Sequence, residues 1–144
     1  MGVFHRHRVL RRDHVRDVAG LTAAWAKTVR AERGSLAPIT IMVITPDGRP
    51  LRRLIRIRRL PDDPMSEVVD DVVAELTELI VDLIPQASVA VLTAMTSEGL
   101  PDEHELAWCR LFSSSLSRSP FLSWPLCHAS RDIVGLVPPD GLVA

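Results

Sequence analysis

Between Met65 and Leu83 the apolar residues Met65, Val68, Val69, Val72, Val73, Leu76, Leu79, Ile80 and Leu83 recur at helical spacing without a gap. The opposite face carries Glu67, Asp70, Asp71, Glu75, Glu78 and Asp82, with no basic residue among them. A helix this long, with one unbroken apolar stripe, is stable only where a broad second layer covers the stripe. Asp63-Pro64 is expected to open it, with Pro64 at the first helical position, where a missing N–H is harmless. Pro85 ends it, because proline cannot continue the hydrogen-bond ladder. Directly afterwards Ala87–Ala94 is continuously apolar, the pattern of a central strand buried on both faces. A helix laid on a central strand places the chain in the α/β or α+β class.

The remaining segments fit around that pair. Asp13 is a suitable N-cap for a helix whose Val15, Val18, Thr22, Trp25 and Val29 share a face and which Gly34 ends. Ile39–Ile44 is a short β-branched run and reads as a buried strand. Pro46-Asp47-Gly48 is a hairpin-type turn, and Leu51–Leu60 is the expected return strand, with Ile55 and Ile57 on one face and Arg52, Arg56 and Arg58 on the other. Pro101 with Asp102, Glu103 and Glu105 starts another helix, where carboxylates suit the helix dipole. Leu106, Trp108, Leu111, Phe112 and Leu116 supply its apolar positions. Phe121–Ala129 and Asp132–Val137 are expected as two final strands turning at Arg131-Asp132. Pro125 places the first of them near an edge or at a bulge. The order predicts a three-layer mixed sheet flanked by helices, organised as a basic tail and amino-terminal helix (1–35) and an α/β core (36–144).

The 144 residues, 47% of them hydrophobic, suffice for one domain with a genuine core. Met1 to Arg12 carries four arginines and no apolar run, so no signal peptide is expected, and no stretch approaches a membrane span. Cys109 and Cys127 read as reduced core thiols and the chain as cytoplasmic. The net charge of −1 hides an asymmetry of +10 over residues 1–60 against −11 over residues 61–144. Nearly all the basic residues are arginine, a bias that a GC-rich genome produces without functional cause.

Strand, turn, return strand, helix, strand, helix and two final strands, from about residue 38 to 137, resemble the JAB/MPN-type fold and within it the RadC-like proteins of bacteria. Those carry His-x-His-Pro-Ser-Gly after the central strand, then Ser-x-x-Asp before a helix. Here Thr93 and Met95 stand where the resemblance puts the two histidines, and Asp102-Glu103-His104-Glu105 fills the Ser-x-x-Asp slot. The glutamate expected on the return strand falls near Arg53-Leu54. Zinc in such a site needs imidazoles and a carboxylate converging with one open position. Threonine and a thioether are poor substitutes, so the resemblance implies a degenerate metal site with no metal, no cofactor and no catalytic residue. Thr93, Met95, Asp102, His104 and Glu105 are then the lining of a vestigial pocket.

Other chemistries are thinly supported. His5, His7 and His14 have no carboxylate or cysteine spaced to complete a metal site. Cys127 and His128, adjacent on a strand, point to opposite faces. No phosphate-binding glycine loop and no nucleophile elbow occurs. Arg49, Arg52, Arg53, Arg56, Arg58 and Arg59 fall within eleven residues and form the binding candidate. They could meet nucleic-acid phosphates, but 4% aromatic residues leave few stacking platforms. The favoured alternative pairs them with the acidic face of Glu67–Asp82, within the chain or across a homodimer. The amino-terminal helix either docks on its own sheet or forms a dimer seam. A non-catalytic interaction or scaffold module is therefore the primary expectation. A nucleic-acid-associated protein, or a hydrolase using Asp102, His104 or Glu105 for acid–base chemistry in the old metal pocket, are the alternatives.

Overall fold

A computed structural model describes residues 14–131 and 133–142. Among them are three α-helices, α1 (Val18–Ala31), α2 (Ser66–Leu83) and α3 (Glu103–Ser117). The strands are β1 (Ile39–Ile44), β2 (Ile55–Ile57), β3 (Ser88–Thr93), β4 (Leu122–Ser123), β5 (Cys127–Ser130) and β6 (Ile133–Leu136), with a 3-10 turn at Pro139–Leu142. The sheet runs β2-β1-β3-β5-β6, and β4 also pairs with β3. β1 is antiparallel to β2 and β3, β3 is parallel to β4 and β5, and β5 is antiparallel to β6. The molecule is thus a three-layer α/β sandwich around a mixed sheet.

Strand alternation divides the core between the layers. Ile39, Ile41, Val43, Val89 and Val91 face α2 and α3 and pack with Val69, Val73, Leu76, Ile80, Trp108 and Phe112. Met42, Ile44, Ala90, Leu92, Cys127 and Ala129 face α1 and meet Leu21, Ala24, Trp25 and Val29. The amino-terminal helix therefore docks on its own sheet and is not a free dimer seam. Its Trp25 and Leu21 are fully buried.

Several boundaries differ from expectation. Asp13 lies outside the described residues, as do the tail histidines His5 and His7. Asp17 is the N-cap of α1, its Oδ1 accepting from the Gly20 N–H at 2.7 Å. Val15 precedes the helix and bonds to the hairpin turn, its N–H donating to the Gly48 carbonyl. Gly48 has φ +90°, and a Cβ there would lie 2.8 Å from the Val15 carbonyl oxygen, so glycine is required twice over. α2 begins at Ser66 with Met65 as an N-cap that makes no side-chain bond, so Pro64 lies just outside the helix. The return strand is short. Pro50 bridges Ile44, but the next pairing is Ile41 with Ile55, which leaves two surplus residues bulged out around Arg52 and Arg53. The first final strand is split at Pro125, and its second half, β5, lies inside the sheet between β3 and β6. Along β3 the partner of Val89 is Ser123 but that of Leu92 is Cys127, so one extra residue is taken up around Pro125. Arg131 makes the β5–β6 turn with φ +57°, and Asp132 lies outside the described residues.

Candidate functional site

The end of β3 and the first turn of α3 form a closed polar corner. Asp102 is the N-cap of α3, its Oδ1 accepting from the Glu105 N–H at 2.8 Å. Glu105 is wholly buried, and both carboxylate oxygens are occupied. Thr93 Oγ1 donates to Oε2 at 2.5 Å, while the Thr96 N–H and Oγ1 donate to Oε1 at 2.9 and 2.6 Å. The Thr96 hydroxyl in turn accepts from the Asp102 N–H at 3.1 Å. In a capping box the third helical residue reaches back directly to the N-cap N–H; here Thr96 relays that contact. A buried carboxylate is tolerable only with such a complete set of donors.

Two further titratable groups adjoin it. Cys109 Sγ lies 3.7 Å from Thr93 Oγ1, whose one proton is already engaged at Glu105, so the thiol is the donor. Burial pushes the Cys109 thiol up to about 11 and Cys127 up to about 12, so neither is a ready nucleophile. His128 pairs across the parallel ladder with Thr93 and shares its face of the sheet. It is 6% exposed, and its Nδ1 has no hydrogen-bond partner. Burial holds its imidazole below the ordinary value, against a smaller opposing pull from Glu105.

The sequence candidates separate here. Thr93 and Glu105 come together, Asp102 serves as a cap, and Met95 and exposed His104 line a cleft outside the corner. The three acid–base candidates do not converge: Glu105 turns into the core, Asp102 binds backbone, and His104 alone faces the cleft. Nor does the set fit zinc. Thr93 spends its proton on Glu105, Met95 offers only a thioether, and among the described residues no three His, Cys, Asp or Glu side chains are placed to hold a metal ion. Arg53 is not the arginine at this corner. Ile39 pairs with both Thr93 and Ile57, which brings Arg58 and Arg59 there while Arg53 sits in the β2 bulge farther along.

The other arginines are dispersed in their bonding. Arg56 lies on the α1 face and pairs with Glu32 at the C-cap of α1. Arg58 Nη1 donates to the Ser35 carbonyl at 2.9 Å, and Arg49 pairs with Asp47 at 3.3 Å. Among the described residues no ion pair joins residues 51–60 to the acidic face of α2, whose Asp70 instead meets Arg118 at 3.6 Å. The expected match within the chain is therefore not made. Instead, Ile55, Ile57, Val72, Leu76 and Leu79 floor a groove of about 580 Å³ between the β2 edge and α2, with Arg58 and Arg59 on one rim and Glu75 on the other.

Sequence reasoning passed over Thr96 and weighed His128 only beside Cys127 as a metal pair. The Asp-x-x-Glu spacing at 102–105 is a capping signal, but Thr96 enters only through the loop, and His128 only through strand register. Among the described residues no helix is long and apolar enough to cross a membrane. No family model matches the chain, and neither a curated protein nor a solved structure matches it significantly.

Proposed function

We propose that this chain is a non-catalytic, JAB/RadC-like module that assembles with a second copy of itself through the β2–α2 groove. The observation that carries this reading is the groove's two rims, opposite in charge and joined by no ion pair among the described residues. Arg52, Arg53 and Arg59 are exposed on the β2 side, and Asp71, Glu75, Glu78 and Asp82 on α2. Such a surface is self-complementary: a two-fold axis along the groove sets each basic edge against the other copy's acidic helix. α2 also carries Glu78 and Asp82 toward its carboxyl end, where the helix dipole disfavours them and a partner's cations relieve them. The sealed Glu105 corner, with no ligand set for zinc, supports the non-catalytic half of the reading.

Light scattering of the purified protein in dilute salt tests it. A dimer is expected that dissociates as salt rises. The double variant Glu75→Arg, Glu78→Arg should be monomeric, and adding Arg52→Glu and Arg53→Glu should restore the dimer. A monomer under every condition overturns the assembly, and stoichiometric zinc in the purified protein overturns the non-catalytic reading. Nucleic acid draws on the same arginines but would meet the acidic helix beside them. Duplex DNA bound in dilute salt without loss of the dimer would make that the better account of the arginine edge.

A further inference from the structure

We infer that the cleft outside the Glu105 corner is a binding site for a small organic phosphate of about mononucleotide size. The cleft, about 690 Å³, lies where β3 leaves the sheet, where Pro38 leads into β1, and where residues 58–62 follow β2. Arg58, Arg59 and His104 line it, against the single carboxylate of Asp62.

Charge is sorted here by the first turn of α3. Of its four polar residues, three are acids, and all three are engaged elsewhere. Asp102 caps Glu105, Glu103 pairs with Arg110 at 2.7 Å, and Glu105 is sealed among the threonines. Only His104 is left facing the cleft, so a helix start rich in carboxylate presents nitrogen to it. Arg58 is held through one guanidinium nitrogen by the Ser35 carbonyl at the edge of the cleft, which leaves its other donors available. Arg59 has no ion-pair partner among the described residues. Two arginine forks and an imidazole suit a phosphate's several acceptor oxygens better than a single carboxylate. The remaining wall is apolar, formed by Leu60, Pro61, Ala94 and Met95 beside Pro38, and covers an uncharged organic moiety.

The inference goes beyond the assembly proposed above and stands if that assembly fails. Its test is calorimetric titration of the full chain with AMP, adenosine and inorganic phosphate in dilute salt. AMP should bind, inorganic phosphate more weakly, and adenosine not at all. Arg59→Ala should weaken AMP by about tenfold or more, the usual scale for losing a charge-assisted bond to phosphate. His104→Ala should weaken it by a smaller factor while leaving the mass in solution unchanged. Arg58 and Arg59 also border the β2–α2 groove, so Glu75→Arg, which changes the groove alone, should not weaken AMP whatever it does to the mass. Equal binding of AMP and adenosine, no AMP binding, or full affinity in both cleft variants with unchanged thermal unfolding would overturn it.

Discussion

The Glu105 corner and the β2–α2 groove both carry charge and treat it in opposite ways. At the corner one carboxylate is taken out of water and both its oxygens accept from Thr93 or Thr96, in three hydrogen bonds. Along the groove, Glu75 and Arg59 on the rims, with Asp71, Glu78 and Asp82 on the same helix and Arg52 and Arg53 beside β2, stay exposed with no ion-pair partner among the described residues. A buried charge that is fully bonded is part of the architecture, because removing it strands its donors. Exposed unpaired charges on facing rims contribute little to folding and remain free to recognise something else.

The largest expected effect breaks the corner. Glu105→Ala strands a backbone N–H and two hydroxyls in the core and should destabilise the protein by about 3–5 kcal/mol in urea unfolding. Cys109, inert in the native protein, should become reactive toward a thiol reagent in that variant, and Glu105→Gln should fall between. An intermediate case is Arg56→Ala, which removes the half-buried partner of Glu32 and should cost about 1 kcal/mol, read by the same unfolding curves. Reversing Glu75 and Glu78 to arginine should change stability by no more than about 0.5 kcal/mol while abolishing self-association. A loss comparable with that of Glu105→Ala would erase the distinction between the two regions.

The subtlest test concerns pH. Because burial lowers the imidazole of His128 from its ordinary 6.5, the unfolded chain binds more protons there than the native one as pH drops. Stability should decline as pH falls through that value, and the decline should be shallower in His128→Asn. The measurement is the urea midpoint across mildly acidic pH.

The layered architecture was legible because α2, β1 and β3 have unbroken patterns that only one arrangement can bury. Local exceptions were not. Pro50 and the two-residue bulge at Arg52 and Arg53 shortened a return strand whose alternation looked continuous. Met65, exposed and without a side-chain cap bond, replaced Pro64 as the boundary of α2, where the first buried residue is Val69. At the corner, Thr93 and Glu105 could be named from sequence, but their bond depends on which way the first turn of α3 faces. Arg58 and Arg59 displaced Arg53 for a related reason: the register of β2 against β1 is set by the bulge.

The surplus residue around Pro125 decides more than local shape. Had β5 kept the spacing of β4 along β3, Cys127 would stand beside Thr93 and His128 would look toward α1. One inserted position therefore places an imidazole, not a thiol, across the ladder from the threonine that holds the sealed carboxylate. It also consigns the Cys127 sulfur to the face that α1 covers, in the cluster that holds Trp25.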